Sequence, residues 1–515
     1  MTSGHSTTSN PSIHPQKDVE SNLVVQTIAA LTSRNAKVQP GYMASVNFQD
    51  LYAKGEISNC NGNNNSPYFA CALPRSPNQQ AGVLDLIRMP SPARMQNEVL
   101  HTCIHLDTSE AIILIGKTPP EVKYFSFTIF NVTSHYDAPP SILNDKNLNG
   151  ILLRNKPVEV IMKSLQRRML FCGMGDPVNN LKIKTFDFDS PAGNDSSETP
   201  FNRDFVLVYT SNRQILEEIA ELLESIHIPK HCINVLTVPQ DIVNVGVQKE
   251  SNTFTFAMRI SSEKDPSQKL TDYLDAPFIH TFRYCSTNTH NDPLPIPILT
   301  PRGNGHTELA HLKPVQRLRQ SILDAHKDEY MAIELTSDIW LNESYIAMQQ
   351  GVDNLGESRD TPYISTETFT LPEGAFLVAY GVNHVTTGKA LYSNLNVYGA
   401  PLDNGVISVG DSDFRNSAEL YMNTPDAAYL YAWRLGFIPN LFRRNYTEIP
   451  SVISATLEHA QNKPPYVLIP TDPMYLSFRA YVEKATTVGA VWHELILDRV
   501  IVFVPRNSEP RAPRV

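Results

Sequence analysis

The stretch DFVLVYTSNRQILEEIAELLESIHIPKHCINVLTV, residues 204–238, reads as a strand, a helix and a second strand. Asp204–Thr210 (DFVLVYT) is almost continuously apolar and has the length of a buried strand. Ser211 stands where a helix N-cap is needed. Ile215, Leu216, Ile219, Leu222, Leu223 and Ile226 then recur at helical spacing, with Glu217 and Glu218 near the positive end of the helix dipole. Pro229 stops the helix, and Ile233–Val238 (INVLTV) forms the next strand. The simplest geometry for this unit is a right-handed crossover between parallel strands. A further strand is expected at Thr253–Ile260, where Phe254, Phe256 and Met258 alternate with polar or small residues.

Outward from this unit, one pattern recurs. AIILIGKTPPEVKYFSFTIF (111–130) is an apolar strand, a Pro-rich turn and an aromatic strand. AFLVAYGVNHVTTGKALYSNLNVY (375–398) has the same plan with a longer polar loop, and YVLIPTDPMYLSFRAY (466–481) repeats it. Tyr124–Phe125–Ser126–Phe127 nearly matches Tyr475–Leu476–Ser477–Phe478. LFCGMGDPVN (170–179) and GVISVGDSDF (405–414) both run from an apolar strand into Gly-Asp. These echoes predict an internal duplication with a long period. The expected fold is α+β: two similar β-rich halves with mixed sheets, flanked by a few helices. Residues 1–18 and 507–515 are read as disordered. Residues 19–290 form the first half, 291–312 a Pro-rich linker and 313–506 the second half. Helices are expected at 20–33, 313–326 and 451–461, the last feeding a strand at Tyr466–Pro470.

Composition narrows the function classes. The chain has 515 residues, 41% of them hydrophobic and 19% charged, which suits cores of ordinary size. Its net charge of -10 and the lack of a basic stripe argue against nucleic-acid binding. No run approaches the ~18 apolar residues of a membrane helix. The polar N-terminus carries no secretory h-region, so a cytoplasmic protein is expected, or a secreted one whose signal has been trimmed. Six cysteines in a chain this long do not read as a disulfide scaffold.

Familiar motifs fail on their spacing. Gly381 and Gly388–Lys389 are too far apart for a phosphate-binding loop, and Ala390 replaces the hydroxyl that such a loop places on Mg²⁺. The chain has no dinucleotide fingerprint, nucleophile elbow or H-E-x-x-H. His306–Thr307–Glu308 resembles the deaminase H-x-E, but no C-x-x-C supplies the thiolates.

Four constellations remain. The loop Gly381–Lys389 gathers Asn383, His384, Thr386, Thr387 and Lys389 between two strands. His384 would act as acid or base, Asn383 would position a substrate and Lys389 would stabilise an anion. The Gly-Asp corners place Asp176 and Asp411 just past strands, where a carboxylate can serve as a second base or capped turn. On a strand through HTCIHLD (101–107), His101, Cys103, His105 and Asp107 share a face and could ligate a divalent metal. Trp492–His493–Glu494 precedes the last strand. Arg479 and Glu483, four apart, are expected to share a strand face and pair at the surface. The leading expectation is an enzyme acting on a small organic molecule, with His384, Asn383, Lys389 and Asp411 as its site. The alternative is a non-catalytic ligand-binding or structural protein with duplicated β-rich domains.

Overall fold

The computed structural model describes residues 22–57, 62, 66–135, 167–189, 199–261, 266–341, 343–451 and 467–506. The chain is mixed α+β with three sheets. The first sheet has twelve strands: β1 (Lys37–Val46), β2 (Tyr68–Pro74), β3 (Leu86–Met89), β4 (Leu100–Cys103), β5 (Glu110–Lys117), β6 (Phe125–His135), β7 (Arg167–Gly173), β8 (Val178–Asn179), β9 (Asp204–Thr210), β10 (Ile233–Thr237), β11 (Thr253–Ile260) and β12 (Ile279–Cys285). Its main path runs β10-β9-β5-β12-β1-β2-β11-β6-β7. β9 and β10 pair in parallel, and the helix between them in sequence spans Arg213–Glu224. Its cap is Asn212, one residue beyond Ser211: the Asn212 side chain accepts the Gln214 N–H at 3.0 Å and donates to the Thr108 and His290 carbonyls.

β5 and β9 are buried on both faces, which is why they read as nearly continuous apolar runs. Ile112 and Leu114 of β5 enter one core with Phe127 and Phe256. Ala111, Ile113 and Ile115 enter another, beneath α1 (Asn22–Ser33) and the helix Arg213–Glu224. The sheet also curls. Phe205 of β9 meets Phe127 of β6 with centroids 5.1 Å apart, and Tyr209 meets Phe256 at 4.9 Å, although these strands lie far apart along the path. Two shorter helices, α2 (Phe48–Ala53) and, after α3 (Arg213–Glu224), α4 (Gln268–Asp275), complete this part.

The remaining strands are β13 (Tyr330–Leu335), β14 (Ser337–Ile339), β15 (Tyr363–Thr366), β16 (Phe376–Val382), β17 (Tyr392–Gly399), β18 (Asn404–Gly410), β19 (Leu430–Gly436), β20 (Tyr446–Glu448), β21 (Met474–Tyr481) and β22 (Arg499–Pro505). They form two five-stranded sheets, β13-β22-β16-β19-β20 and β14-β15-β21-β17-β18. Leu377 and Val500 from the first face Leu395, Leu476 and Phe478 from the second across a shared core, so the pair is a sandwich. On the outer side, α5 (Leu312–His326) packs Val315, Leu318 and Ile322 onto Phe376, Val378 and Phe503. Two short helices, α6 (Ser344–Gln350) and α7 (Asp411–Phe414), lie on the side of the sandwich that meets the first sheet.

The internal duplication is not confirmed: one curled sheet and one sandwich are different architectures. The strand–turn–strand units are not hairpins either. β5 pairs with β9 and β12 rather than β6, and β16 and β17 lie in different sheets. The near-match of Tyr124–Phe127 with Tyr475–Phe478 has a packing cause. Phe125 and Phe127 fill the first core, and Leu476 and Phe478 fill the sandwich core. Tyr124 and Tyr481 instead meet each other at the seam between the halves, 4.7 Å between centroids. Each strand has one face in its own core and the other toward the opposite half. Most of the helix expected at 451–461 lies outside the described residues; Leu468, from the expected strand, makes only an isolated bridge to Ser451.

Candidate ligand site between the halves

The loop Gly381–Lys389 folds inward against the linker. His384 is 3% exposed. Its Nδ1 is 2.9 Å from Glu308 Oε1, and its Nε2 is 3.5 Å from Asp498 Oδ2. Burial alone would lower its pKa, but the Glu308 and Asp498 carboxylates outweigh it and raise the pKa to about 10. An imidazolium held this firmly is a poor base at neutral pH. Glu308, the last residue of the deaminase-like triplet, is its main partner. Lys389 Nζ is clamped by Glu494 at 2.6 Å, Glu483 at 2.7 Å and the Asn304 side chain at 3.0 Å. The Asn383 side chain accepts the Val385 N–H and shapes the turn. These three residues fasten the loop to the linker and to the turn at Trp492–Glu494, where His493 points to solvent.

Asp411 sits elsewhere. Its carboxylate takes Lys123 Nζ from the first half at 2.9 Å. Asp176, at the other Gly-Asp corner, takes Arg359 from the second half at 2.7 Å and Lys182 at 3.0 Å. The two corners thus clasp the halves from opposite sides. Burial raises the Asp411 pKa and Lys123 opposes that rise. Lys123→Met is therefore expected to cost about 2 kcal/mol, because it leaves a buried carboxylate without its partner. Urea unfolding at pH 7 measures this, and the loss should shrink as the pH is lowered and Asp411 takes up a proton.

Gly173 belongs to the same seam: its N–H donates to the Glu357 carbonyl at 3.1 Å, and a Cβ there would lie 2.6 Å from that oxygen. Glu357 is buried, which pushes it up to about 7 against the pull of Arg302. Its carboxylate accepts the Ser344 hydroxyl at 2.6 Å.

The four residues of HTCIHLD do not converge. β4 ends at Cys103, so strand alternation stops there. The Cys103 thiol donates to Thr253. His105 Nδ1 meets Asp85 at 2.8 Å while Nε2 meets Arg167. Asp107 caps the turn at Ser109, and burial lowers the pKa of His101. Among the described residues no group of three or more His, Cys, Asp and Glu is placed to hold a metal. The five described cysteines are free and buried.

The chemistry that does converge lies at the seam. A cavity of about 100 Å³ opens between the first sheet and the second half. Its wall is mostly apolar, with Phe130, Val132 and Phe171 among its lining. Arg259 enters from β11, where Thr255 and Ala257 share its face, and Arg479 enters from β21. Arg479 is 6% exposed. The Nη1 of each guanidinium is buried and finds no hydrogen-bond partner. Tyrosine rings flank both: Arg259 lies 5.2 Å from the Tyr68 centroid and 5.7 Å from Tyr481, and Arg479 lies 5.1 Å from Tyr363 and 5.6 Å from Tyr398. Such contacts favour a cation, and the Nη1 of each group remains without a hydrogen bond. Asp353 lines the same cavity, and burial pushes its carboxyl up to about 6. A wider groove of about 1390 Å³ runs beside α4, but no buried unpartnered polar atom of its described lining points into it.

The expected surface pair of Arg479 with Glu483 does not form. β21 ends at Tyr481, and Val482 has φ 55°, so the alternation that would align the two residues is broken. Glu483 turns to Lys389 instead. The usable signal was the single arginine in each of two apolar strands, TFTFAMRI and MYLSFRAY.

No protein-family model and no curated protein matches the chain. The crystal structure of the VPA0106 protein from Vibrio parahaemolyticus aligns over 88% of this chain and 96% of its own, at 10% identity and a TM-score of 0.30. A likeness that low carries no argument about fold or function. No described helix is long and apolar enough to cross a membrane.

Proposed function

We propose that this protein binds a small anionic molecule in the cavity between its halves, without transforming it. The carrying observation is a pair of arginines, one from each half, that line an apolar cavity and each keep a buried Nη1 without a hydrogen-bond partner. A buried polar group without a partner costs free energy, more so when charged, and an anion entering the cavity would relieve that cost for both arginines at once. Binding rather than catalysis is supported by the lining: no His, Cys, Lys or Ser is among the described residues that form the wall. The enzyme reading around His384 finds no support in an imidazolium locked between Glu308 and Asp498.

The test is thermal unfolding against a panel of small anions: acetate, propionate, phosphate and sulfate, each at matched ionic strength. At least one should raise Tm in a saturable way, as a ligand of the folded state must. Arg259→Gln, at a partly buried position, should abolish that rise. A panel without any saturable rise, or a rise that survives in Arg259→Gln, would defeat the proposal.

A further inference from the structure

We infer that the ligand is a compact monocarboxylate, its two oxygens held by the Arg259 and Arg479 guanidinium groups and its short apolar end against the cavity wall. This rests on the anion-binding reading above and names the chemistry of the same site.

Size comes first. Judged against a cavity of about 150 Å³ that accepts benzene, about 100 Å³ has room for about four or five heavy atoms. A two- or three-carbon carboxylate is of that size. Charge narrows the class further. With both arginines charged and Asp353 ionised, the charged groups of the described lining sum to +1; with Asp353 neutral they sum to +2. A monoanion suits either state. A dianion such as phosphate or sulfate would have to shed more hydration into an apolar wall and would face the Asp353 carboxylate.

Geometry makes the same choice. Tyrosine rings flank both guanidinium groups, their centroids 5.1–5.7 Å from the guanidinium carbons, and a carboxylate is the anion that makes paired in-plane hydrogen bonds with arginine. Phe130, Val132 and Phe171 offer contact to carbon and no hydrogen bond.

The experiment is titration calorimetry or ligand-observed NMR on the full chain at pH 7, with acetate, propionate, acetamide, propionamide, phosphate and sulfate. Propionate should bind at least about tenfold more tightly than propionamide, the margin expected for hydrogen bonds to a charged group. Arg259→Gln should weaken propionate by about tenfold or more, and Arg479→Lys, which keeps the charge but loses the fork, should weaken it as well. If phosphate or sulfate binds in an Arg259-dependent way and the carboxylates do not, the carboxylate assignment falls while the anion site stands. Equal binding of propionate and propionamide shows a cavity that reads shape alone, and overturns it too. If nothing on the panel binds, both readings fall together.

Discussion

Replacing His384 with leucine is expected to lower stability by on the order of 3–5 kcal/mol at neutral pH, the usual cost of breaking a buried ion pair. The substitution leaves Glu308 and Asp498 buried without their cation. Both carboxylates have other work: Glu308 accepts the Thr387 hydroxyl and the Ile496 N–H, and Asp498 accepts the Tyr431 hydroxyl at 2.6 Å. These bonds hold the linker, loop and last strand in one piece, so the loss is not local. The pH profile carries a second signature. The folded pKa of about 10 lies above the ordinary 6.5. The stabilisation is then fully present below about 6.5 and is lost as pH rises through about 10. Wild-type chain should weaken across that interval, and the leucine variant should lack this component. Urea denaturation at pH 6, 8 and 10 reads both effects. A loss under about 1 kcal/mol at pH 7 would show that the pair holds little.

Comparable in size is the expected effect of Glu110→Leu. Arg283 Nη1 lies 2.7 Å from Glu110 Oε2, and neither side chain is exposed. Glu110 also accepts the Ser76 hydroxyl at 2.5 Å and the Asp107 N–H at 3.1 Å, while Arg283 donates to the carbonyls of His105 and Pro74. With the carboxylate gone, a guanidinium remains in a dry interior, at a cost on the order of 3–5 kcal/mol. The double variant Glu110→Leu/Arg283→Met removes both charges together and should be more stable than Glu110→Leu alone. A double variant no more stable than the single one would mean that the hydrogen bonds to backbone, rather than the charge pair, organise this spot.

How much of this was legible follows from the range of each signal. The crossover at 204–238 could be read because both of its periodicities are local: a helix repeats within four residues and a strand within two. The strand Thr253–Ile260 was legible for the same reason. Pairing was not, because nothing in residues 111–130 says that Ala111 lies opposite Thr210 and Tyr284 instead of beside its neighbours in sequence. The polar loop at 381–389 looked like a site because residue types suited to catalysis are equally suited to filling a dry seam with mutual charge pairs. Only their partners tell the two apart, and Glu308, Glu483, Glu494 and Asp498 come from remote stretches. Arg479 was misassigned through one backbone angle, at Val482, that no periodicity announces.

The position of β1 sets the order in which this protein can be made. Among the described strands it comes first in the chain, yet it lies mid-sheet, with Lys37 opposite Cys285 on β12 and Tyr42 opposite Ala72 on β2. One of its edges must therefore stay open during translation until some 240 further residues have been added. Pro40, opposite Phe282, takes one backbone N–H out of β1, and a strand with fewer donors is a poorer template for a stray neighbour on the same message.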